Sequence, residues 1–219
     1  MPFDPIVISN SLRSGLSHLQ NFDLSVAGGD TLVMQLTRYL QELEKWNQAY
    51  NLTAVRDPAD MVPRHLLDAL SVNFYLHGKR ILDVGTGAGL PGIPLALVNP
   101  DKHFTLLDSN GKKVRFVQHV VGVLGLSNVE AVQARIETWD FGQPFDVIVS
   151  RAFSTLTDFI EGSGRMLGPG GDLLAMKGKL PDAELAALPA GWRATGIHVI
   201  HVPMLDAERH AVLLQPNAN

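Results

Sequence analysis

The sequence predicts an α/β fold in which a mostly parallel seven-stranded sheet follows an N-terminal helical cap. Three observations lead to this prediction. Residues 1–78 show helical periodicity, strand and helix signals alternate from Arg80 onward, and an apolar run at 81–84 leads into closely spaced glycines. A chain of 219 residues, of which 46% are hydrophobic, is long enough for one α/β domain with an appendage. Ligands of such a sheet bind outside the carboxyl ends of its strands.

The helical cap is predicted to contain two amphipathic helices. Apolar residues recur at three- and four-residue steps over 30–50 and again over 61–76, and segment 26–30 is typical of a loop that ends in an N-cap at Asp30. The apolar stripes consist of Leu32, Leu36, Leu40, Leu43, Trp46 and Tyr50 in the first helix, and of Leu66, Leu67, Leu70 and Phe74 in the second. We expect Trp46 and Tyr50 to lie in the core. No flexible linker follows, so residues 1–78 and 79–219 are expected to form one integrated unit.

After the cap, the order of elements is that of a parallel sheet. The two tail segments alternate in polarity and predict an antiparallel hairpin that closes the sheet edge. The predicted strands are Arg80–Val84, His103–Asp108, Val129–Gln133, Phe145–Ser150, Asp172–Lys177, Ile197–Val202 and His210–Leu214. The predicted helices begin at Pro91, run from about Lys112 to Leu124, and cover Leu156–Leu167, before a turn at Gly168–Gly171.

A glycine-rich loop follows the first predicted strand. It contains Gly85, Gly87 and Gly89 and continues into Leu90-Pro91-Gly92. Glycine permits a positive φ and a close approach of the backbone to a ligand, and proline suits the first turn of a helix. We expect the free N–H groups of that helix start to face a nucleotide cofactor. Taken alone, the loop also fits a tight strand-to-helix turn that binds nothing.

Two carboxylates favour a cofactor and indicate which one. Asp108 ends the second strand about 20 residues after the glycines, where a carboxylate accepts hydrogen bonds from ribose hydroxyls. The GxGxG spacing departs from the GxGxxG pattern of dinucleotide sites. Asp83, just before the loop, offers negative charge to an ammonium and a sulfonium group. The sequence therefore favours S-adenosylmethionine over NAD, and a methyltransferase over a dehydrogenase.

The composition excludes several chemistries. The chain has no cysteine, which rules out disulfides, thiolate metal sites and a cysteine nucleophile. Methylation of pyrimidine carbon 5 normally needs that thiolate, so nitrogen or oxygen acceptors remain. His198, His201 and His210 lack a coherent ligand spacing, and no metal is expected. Neither a signal peptide nor an apolar run of bilayer length is present, so we expect a cytoplasmic protein without a membrane partner.

The charge distribution matters more than the net charge of −4, which by itself argues against nucleic acid. A local basic rim could still form around the cofactor mouth and bind RNA, and a solvated helix face is the alternative for the cations after Asp108. The candidate RNA-binding residues are Arg64, Lys112, Lys113, Arg115 and Lys177, with Arg56 and Arg151 as further members of the rim.

Several motifs in this order resemble the bacterial ribosomal RNA small-subunit methyltransferase G family, also called glucose-inhibited division protein B. The resemblance covers nearly the whole chain. It is carried by Asn51–Asp57, Arg64–Asp68, Leu82–Pro94, Leu106–Ser109, Lys112–Phe116 and Ser150–Phe153. It implies a Rossmann-like class I fold and transfer of a methyl group from S-adenosylmethionine to N7 of a guanosine in the decoding region of 16S rRNA. The implied partner is 16S rRNA or the small ribosomal subunit, and we expect a monomer.

The resemblance also implies a cofactor site. The matching positions are Gly85, Leu90, Ile136, Glu137 and Arg151, to which the residue-based arguments add Asp83, Gly87, Gly89 and Asp108. The family often has Ser where this chain has Ala69, which puts any role of that hydroxyl in doubt.

The implied reaction needs no catalytic base, because guanine N7 carries a free lone pair at neutral pH. Positioning is then the enzyme's main task. His65 and Arg151 are the positioning candidates, with a structural hydrogen bond as the alternative role for His65. Other readings are a small-molecule methyltransferase, a non-catalytic ribosome-assembly factor and an NAD(P) oxidoreductase. The glycine spacing, which departs from the dinucleotide pattern, counts against the last of these.

Overall fold

The computed structural model describes residues 3–217 and shows a seven-stranded, mostly parallel sheet in the order β3-β2-β1-β4-β5-β7-β6. The first five strands pair in parallel, and β7 pairs antiparallel with both β5 and β6. The strands are β1 (Arg80–Val84), β2 (His103–Asp108), β3 (Val129–Gln133), β4 (Phe145–Ser150), β5 (Leu167–Lys177), β6 (Trp192–Val199) and β7 (His210–Pro216). The predicted α/β class and the antiparallel hairpin are confirmed.

Helices precede the sheet and cover both of its faces. They are α1 (Pro5–Ser17), α2 (Gly29–Tyr50), α3 (Pro58–Met61), α4 (Asp68–Leu70), α5 (Gly92–Val98), α6 (Gly111–Leu124), α7 (Leu156–Ser163) and α8 (Asp182–Ala186). A π-helical stretch, Val62–Leu67, joins α3 to α4, and short 3-10 turns lie at Asn73–Tyr75 and Gly164–Met166. No helix within residues 3–217 is long and apolar enough to cross a membrane.

The hydrophobic core has two parts, one on each face of the sheet. Alternate strand residues divide between them: Ile81 belongs to one part and Leu82 to the other. The part that contains Ile81 also contains the buried residues of the cap, whereas α7 packs on the opposite face. The cap therefore shares a continuous core with the sheet.

The second predicted cap helix is wrong in its continuity. Residues 61–76 do not form one α-helix, because Pro63 has no N–H to donate and its ring obstructs regular α-helical bonding; the backbone widens into the π-helical stretch. Leu66, Leu67 and Leu70 are buried as predicted, but Phe74 lies in a 3-10 turn and is 67% exposed.

Four further boundaries differ from the sequence predictions, one of them in the tail, where the strand predicted at Ile197–Val202 is Trp192–Val199. Asp30 lies inside the first turn of α2, and the N-cap is Gly28 in a left-handed conformation. The helix predicted to end at Leu167 ends at Ser163. The predicted turn at 168–171 lies within β5, where it forms a bulge: Leu167 pairs with Phe145, and Asp172 pairs with Val147.

Phe116 connects the cap to the sheet-covering helix α6. Its side chain is fully buried, and its ring lies 6.3 Å from Tyr39 and 5.6 Å from Trp46, both on α2. Truncation of a buried Phe to Ala leaves a cavity and costs about 3–5 kcal/mol. We expect Phe116→Ala to lower the free energy of unfolding by that amount in urea denaturation. Phe74→Ala, a matched change at an exposed ring, should cost less than about 0.5 kcal/mol. Equal losses in the two variants would show that Phe116 does not hold the cap.

Candidate functional site

A cleft of about 570 Å³, measured out to the open solvent, lies at the carboxyl ends of β1, β2, β3 and β4. This is the edge where parallel α/β sheets bind their ligands. The lining residues are Val84, Gly85, Leu107, Asp108, Ser109, Ala134, Arg135, Ile136, Glu137, Ala152 and Phe153. Two carboxylates and one guanidinium give this lining a net negative charge, which suits a cationic ligand.

The glycine-rich loop forms one wall and is braced by its own backbone. The N–H groups of Gly85 and Thr86 both donate to the Leu107 carbonyl, at 2.8 and 3.1 Å. The N–H groups of Gly89 and Leu90 donate to the Thr86 carbonyl, at 2.9 and 2.8 Å. These donors bond β2 or the loop itself, so they do not form an open cradle for a phosphate.

Asp83 lies beneath this loop and is completely buried. Its Oδ2 accepts hydrogen bonds from the Thr86 hydroxyl at 2.6 Å and from the Gly92 N–H at 2.8 Å, while Oδ1 is buried without a partner. Burial raises the pKa of Asp83 to about 6, against the two hydrogen bonds and the Arg151 charge, which lower it. The expectation that Asp83 faces the cofactor is therefore corrected: it braces the loop from below.

The helix that follows the loop also differs from expectation. Pro91 is the N-cap of α5 rather than its first residue, and the helix begins at Gly92. A Cβ on Gly92 would come within 2.1 Å of Leu106 and 2.8 Å of the Asp83 carboxylate. The Gly92 N–H is bonded to Asp83, and the Ile93 N–H is bonded to the Gly89 carbonyl, so neither faces the cleft.

Asp108 presents a carboxylate to the cleft, as predicted from its place after the glycines. Its Oδ2 accepts the Gly87 N–H at 2.9 Å, and its Oδ1 accepts the Asn110 N–H at 2.8 Å. The Lys113 ammonium lies 3.8 Å from Oδ2. These bonds fix Asp108 in place. Each carboxylate oxygen can accept more than one hydrogen bond, so Asp108 can still accept one from a ligand hydroxyl.

The segment after β4 forms the opposite wall. The Ser150 hydroxyl donates to the Val84 carbonyl at 2.8 Å, and the Ala152 N–H donates to that hydroxyl at 3.0 Å. Gly85, with φ +69°, leaves no room for a side chain, since a Cβ there would lie 2.5 Å from the Cβ of Ala152. The two walls of the cleft thus meet at Gly85 and Ala152.

Lys177 supports this wall from inside. Its ammonium donates to the Ser154 carbonyl at 2.9 Å and pairs with Glu184 at 2.9 Å, and only 12% of its side chain is exposed. The prediction that Lys177 contacts RNA is corrected, because its ammonium group is bonded to Ser154 and Glu184 within the protein.

The segment after β3 closes the cleft with Ile136 and Glu137. The Thr138 N–H donates to the Arg135 carbonyl, which makes a turn, and the Arg165 guanidinium donates to the Ile136 carbonyl at 2.7 Å. The turn thus presents one apolar and one acidic side chain to the cleft.

Arg151 does not line the cleft but forms a clamp at its border. Its guanidinium lies 3.1 Å from Oδ2 of buried Asp68, whose Oδ1 accepts from Arg209 at 2.8 Å. The clamp joins the cap, the end of β4 and the residue before β7. Two guanidinium groups thereby satisfy one buried carboxylate, as buried charge requires.

His65 is also buried, and its Nε2 lies 2.9 Å from the Thr53 hydroxyl. Its Nδ1 is buried without a partner. Burial and, to a smaller extent, the nearby Arg151 charge lower the pKa of His65 to about 4. The imidazole is neutral at physiological pH.

Tyr39 links the cap to the loop. Its ring is fully buried, and its hydroxyl donates to the Ala88 carbonyl at 2.7 Å. A single side chain of α2 therefore fixes one peptide group of the glycine loop. The role of this residue was not predicted, because nothing local in the sequence connects position 39 with position 88.

The structure brings together part of the predicted site. Gly85, Asp108, Ile136 and Glu137 line the cleft, whereas Asp83, Gly87, Gly89, Leu90 and Arg151 lie in, beneath or beside its walls. Among the predicted RNA contacts, Arg64, Lys112 and Arg115 are exposed, and Lys113 is half-buried beside Asp108. Lining residues to which the sequence analysis gave no role are Val84, Leu107, Ser109, Ala152 and Phe153. Their position at the carboxyl ends of the strands was the signal available. Within residues 3–217 no group of three His, Asp or Glu side chains could hold a metal ion.

Comparison with known proteins agrees with this geometry. Residues 32–212 match the family described as GidB, rRNA small subunit methyltransferase G. The chain is 51% identical over 205 residues to the ribosomal RNA small subunit methyltransferase G of Methylococcus capsulatus, covering 94% of this chain and 97% of that protein. It is 48% identical to the protein of the same name from Escherichia fergusonii, covering 89% and 94%.

Solved structures show the same fold at low sequence identity. A methyltransferase from Geobacter sulfurreducens, described as S-adenosylmethionine-dependent and bound to S-adenosylhomocysteine, has a TM-score of 0.55 at 14% identity, covering 81% of this chain and 98% of its own. The glycopeptide N-methyltransferase MtfA has a TM-score of 0.60 at 10% identity, covering 70% and 87%. The predicted Rossmann-like class I fold is confirmed.

The Tyr39 hydroxyl should matter for ligand binding in the cleft. Tyr39→Phe leaves the Ala88 carbonyl without its partner, at a cost of about 1–3 kcal/mol, and releases one restraint on the loop. We expect the affinity for S-adenosylhomocysteine, measured by calorimetry, to fall roughly 3- to 10-fold. Tyr75→Phe, at a partly buried tyrosine stacked on His198, is the matched control and should bind normally. Unchanged affinity in Tyr39→Phe would contradict a role for the hydroxyl in shaping the loop.

The stability of the ligand-free protein should depend on His65 and Asp83 with opposite signs between pH 4 and pH 6. The pKa of His65 falls from 6.5 to about 4 on folding, so the unfolded chain binds the extra proton and this contribution rises with pH. The pKa of Asp83 rises from 3.8 to about 6, so its contribution is lost as pH rises through 6. Each slope is about 1.4 kcal/mol per pH unit at most.

Urea unfolding at a series of pH values separates the two contributions. His65→Gln removes the rising contribution, so its stability relative to the wild type should fall as pH increases from 4 to 6.5. The control is Gln20→Ala, at an exposed residue without an ionisable group, whose curve should run parallel to the wild type. A parallel curve for His65→Gln would show that the imidazole is not held neutral by the fold.

Proposed function

Because this chain belongs to the rRNA small subunit methyltransferase G family, we propose that it transfers a methyl group from S-adenosylmethionine to N7 of a guanosine in 16S rRNA of the small ribosomal subunit. The family membership supports methylation of small-subunit rRNA. The acceptor atom and base are the finer part of the proposal, and they rest on the resemblance and on chemistry.

One observation carries the cofactor assignment. The loop N–H groups that a pyrophosphate would need are bonded within the protein, while Asp108 faces the cleft with a fixed carboxylate. A ligand with ribose hydroxyls and positive charge fits this lining, and a dinucleotide does not. The residues present therefore fit S-adenosylmethionine.

The cleft residues take distinct roles in this proposal. Asp108 accepts hydrogen bonds from the ribose hydroxyls, and Ile136 packs on the flat face of the adenine. Glu137 adds negative charge to the lining, which favours a cationic cofactor. Gly85 lets the backbone approach where a side chain would collide with Ala152. When bound, the cofactor would supply a methyl group on a sulfonium, whose carbon an in-line nucleophile attacks while the thioether sulfur leaves with the bonding electron pair.

The chain's own contribution to the chemistry is positioning. Methylation of guanine N7 requires no proton to be removed, so the reaction needs no general base. The neutral imidazole of His65 is therefore not assigned that role. Arg151 is held by Asp68 at the border of the cleft, and we assign it and His65 to orienting the acceptor. Pre-orienting two reactants can account for roughly 7–11 kcal/mol of a barrier, so a fixed clamp at this point is useful.

The acceptor is proposed to be a loop nucleotide rather than part of a duplex. Guanine N7 faces the deep, narrow major groove of an RNA helix, where side chains do not reach. Phosphate contacts around the mouth of the cleft come from Arg64, Lys112, Lys113 and Arg115, without Lys177.

We further propose that the protein acts as a cytoplasmic monomer. Residues 1–78 and 79–219 are proposed to work as one unit, which their shared core supports.

The proposal is tested by methyl incorporation. We expect the protein to transfer labelled methyl from S-adenosylmethionine to small ribosomal subunits or their rRNA, taken from cells that lack the enzyme. Borohydride–aniline treatment should then cleave the rRNA at a single new N7-methylguanosine. Absence of transfer to both substrates, with S-adenosylhomocysteine binding intact, would contradict the proposal and favour a small-molecule acceptor or an assembly role.

Asp108→Asn should weaken S-adenosylhomocysteine binding roughly 10-fold, since it removes a charge-assisted acceptor. Asp101→Asn, an exposed carboxylate paired with Lys79 at the opposite edge, should not.

A further inference from the structure

Two segments of the chain are basic and contain no carboxylate, although the whole chain has 22 acidic and 18 basic residues. Segment 45–56 contains Lys45 and Arg56, and segment 109–119 contains Lys112, Lys113 and Arg115. The first covers the end of α2 and the loop after it, and the second covers the start and middle of α6. We call the two together the basic–aromatic surface.

The two segments pack against each other through Trp46. Its ring lies 5.6 Å from Phe116 and 5.0 Å from His119, both on α6. The carboxylate at this contact, Glu42, is buried and pairs with Arg38 and His119. The two segments carry four exposed cations that form no ion pair within residues 3–217 and are therefore available to a ligand: Lys45, Arg56, Lys112 and Arg115.

Tyr50 is an exposed aromatic residue at the end of α2 within this region. The sequence predicted it in the core, but 45% of it is exposed, because α2 ends here and extends past the body of α6 that covers Trp46. Its ring rests against Trp46 at 5.4 Å with an interplanar angle of 37°. A tyrosine ring braced on one side and open on the other is a stacking platform for a base.

The loop after Tyr50 is held in a fixed shape. Buried Asn47 accepts the Thr53 N–H at 2.9 Å and donates to the Val55 carbonyl at 3.4 Å. Arg56 donates to the Asn47 carbonyl and to the Asn51 side chain, yet it remains exposed. A surface that is already ordered loses less conformational entropy on binding.

The basic–aromatic surface borders the proposed active site at two points. At one, Lys113 reaches within 3.8 Å of Asp108 in the cofactor cleft. At the other, the Thr53 hydroxyl contacts His65, which is close enough to Arg151 to be affected by its charge. The surface thus lies beside the path by which a nucleic acid would reach the cleft.

From this geometry we propose that the basic–aromatic surface binds single-stranded rRNA next to the target nucleotide, with the base of a flanking nucleotide stacked on Tyr50. The inference rests on the proposed function, because it assumes an RNA acceptor. A basic track with an exposed aromatic ring is what single-stranded nucleic acid needs: cations for the phosphates and a π-face for a base. A protein with a net charge of −4 can bind RNA only through such a local region.

The stacked base is a neighbour of the acceptor rather than the acceptor itself. His119, which contacts Trp46, lies eight residues after Gly111, about 12 Å along the axis of α6 from the helix start beside the cleft. That separation corresponds to a few nucleotides of extended RNA. The contact should therefore affect binding of RNA and leave cofactor binding unchanged.

The test compares three variants with the wild type for binding to protein-free small-subunit rRNA, to the assembled subunit and to S-adenosylhomocysteine. Tyr50→Ala should weaken binding to both RNA substrates about 5- to 100-fold, whereas Tyr50→Phe keeps the stacking ring and should bind like the wild type. Phe74→Ala, at another exposed aromatic residue outside the surface, is the control. All variants should keep wild-type affinity for S-adenosylhomocysteine and a wild-type melting temperature.

The cations are tested by the salt dependence of the same binding. The double variant Lys45→Gln, Arg115→Gln should reduce the slope of log affinity against log salt by about 1.4, as expected for two lost phosphate contacts on a single strand. Lys79→Gln, at an exposed lysine paired with Asp101, should leave the slope unchanged.

Four results would overturn the inference. These are wild-type RNA binding by Tyr50→Ala, an equal loss in Tyr50→Phe, a parallel loss of S-adenosylhomocysteine affinity or melting temperature, and a loss confined to the assembled subunit. The last would indicate a ribosomal protein as the partner of the surface. Methyl transfer by the wild-type protein tests the proposed function separately, so a failure of the surface inference can be told apart from a failure of the proposed function.

Discussion

The cofactor cleft depends on one buried carboxylate, that of Asp83. It binds the Thr86 hydroxyl and the Gly92 N–H, and so fixes both ends of the glycine loop and the start of α5 from below. Burying a charge is costly, which appears here as a raised pKa and an oxygen without a partner. The buried carboxylate fixes the shape of the loop. This shape lets Gly87 bond Asp108 on one side of the cleft and lets Gly85 approach Ala152 on the other.

The cap and the sheet act as one structure because their contacts converge on the cleft. Tyr39 binds the glycine loop, Phe116 fills the space between α2 and α6, and Asp68 clamps Arg151 and Arg209. An RNA that binds the cap and α6 therefore contacts the elements that hold the cofactor walls. Substrate binding and cofactor geometry share a single packed core, and packed cores transmit small displacements well.

The sheet was more predictable from sequence than the cap or the site. Strands such as Phe145–Ser150 are buried on both faces and read as continuous apolar runs between polar turns, so their bounds were recovered. The predictions for the cap failed where tertiary context overrides local periodicity. Pro63 interrupts regular α-helical bonding in a segment whose apolar spacing is helical. Tyr50 lies on the apolar stripe of α2 but is not covered by α6. In the site, strand ends located Asp108, whereas the internal bonding of Lys177 and of the loop N–H groups depends on residues distant in sequence.

The position of β7 determines when the sheet can be completed during synthesis. Residues 210–216 are synthesised after β6, yet they occupy the place between β5 and β6. Arg209, just before them, completes the clamp on Asp68. As the chain leaves the ribosome, the earlier strands can pair among themselves, but β6 emerges before the strand that it must join. A nascent chain halted before residue 209 would have its cofactor loop and lack both β7 and half of its clamp, so the loop can form before the sheet that supports it is complete.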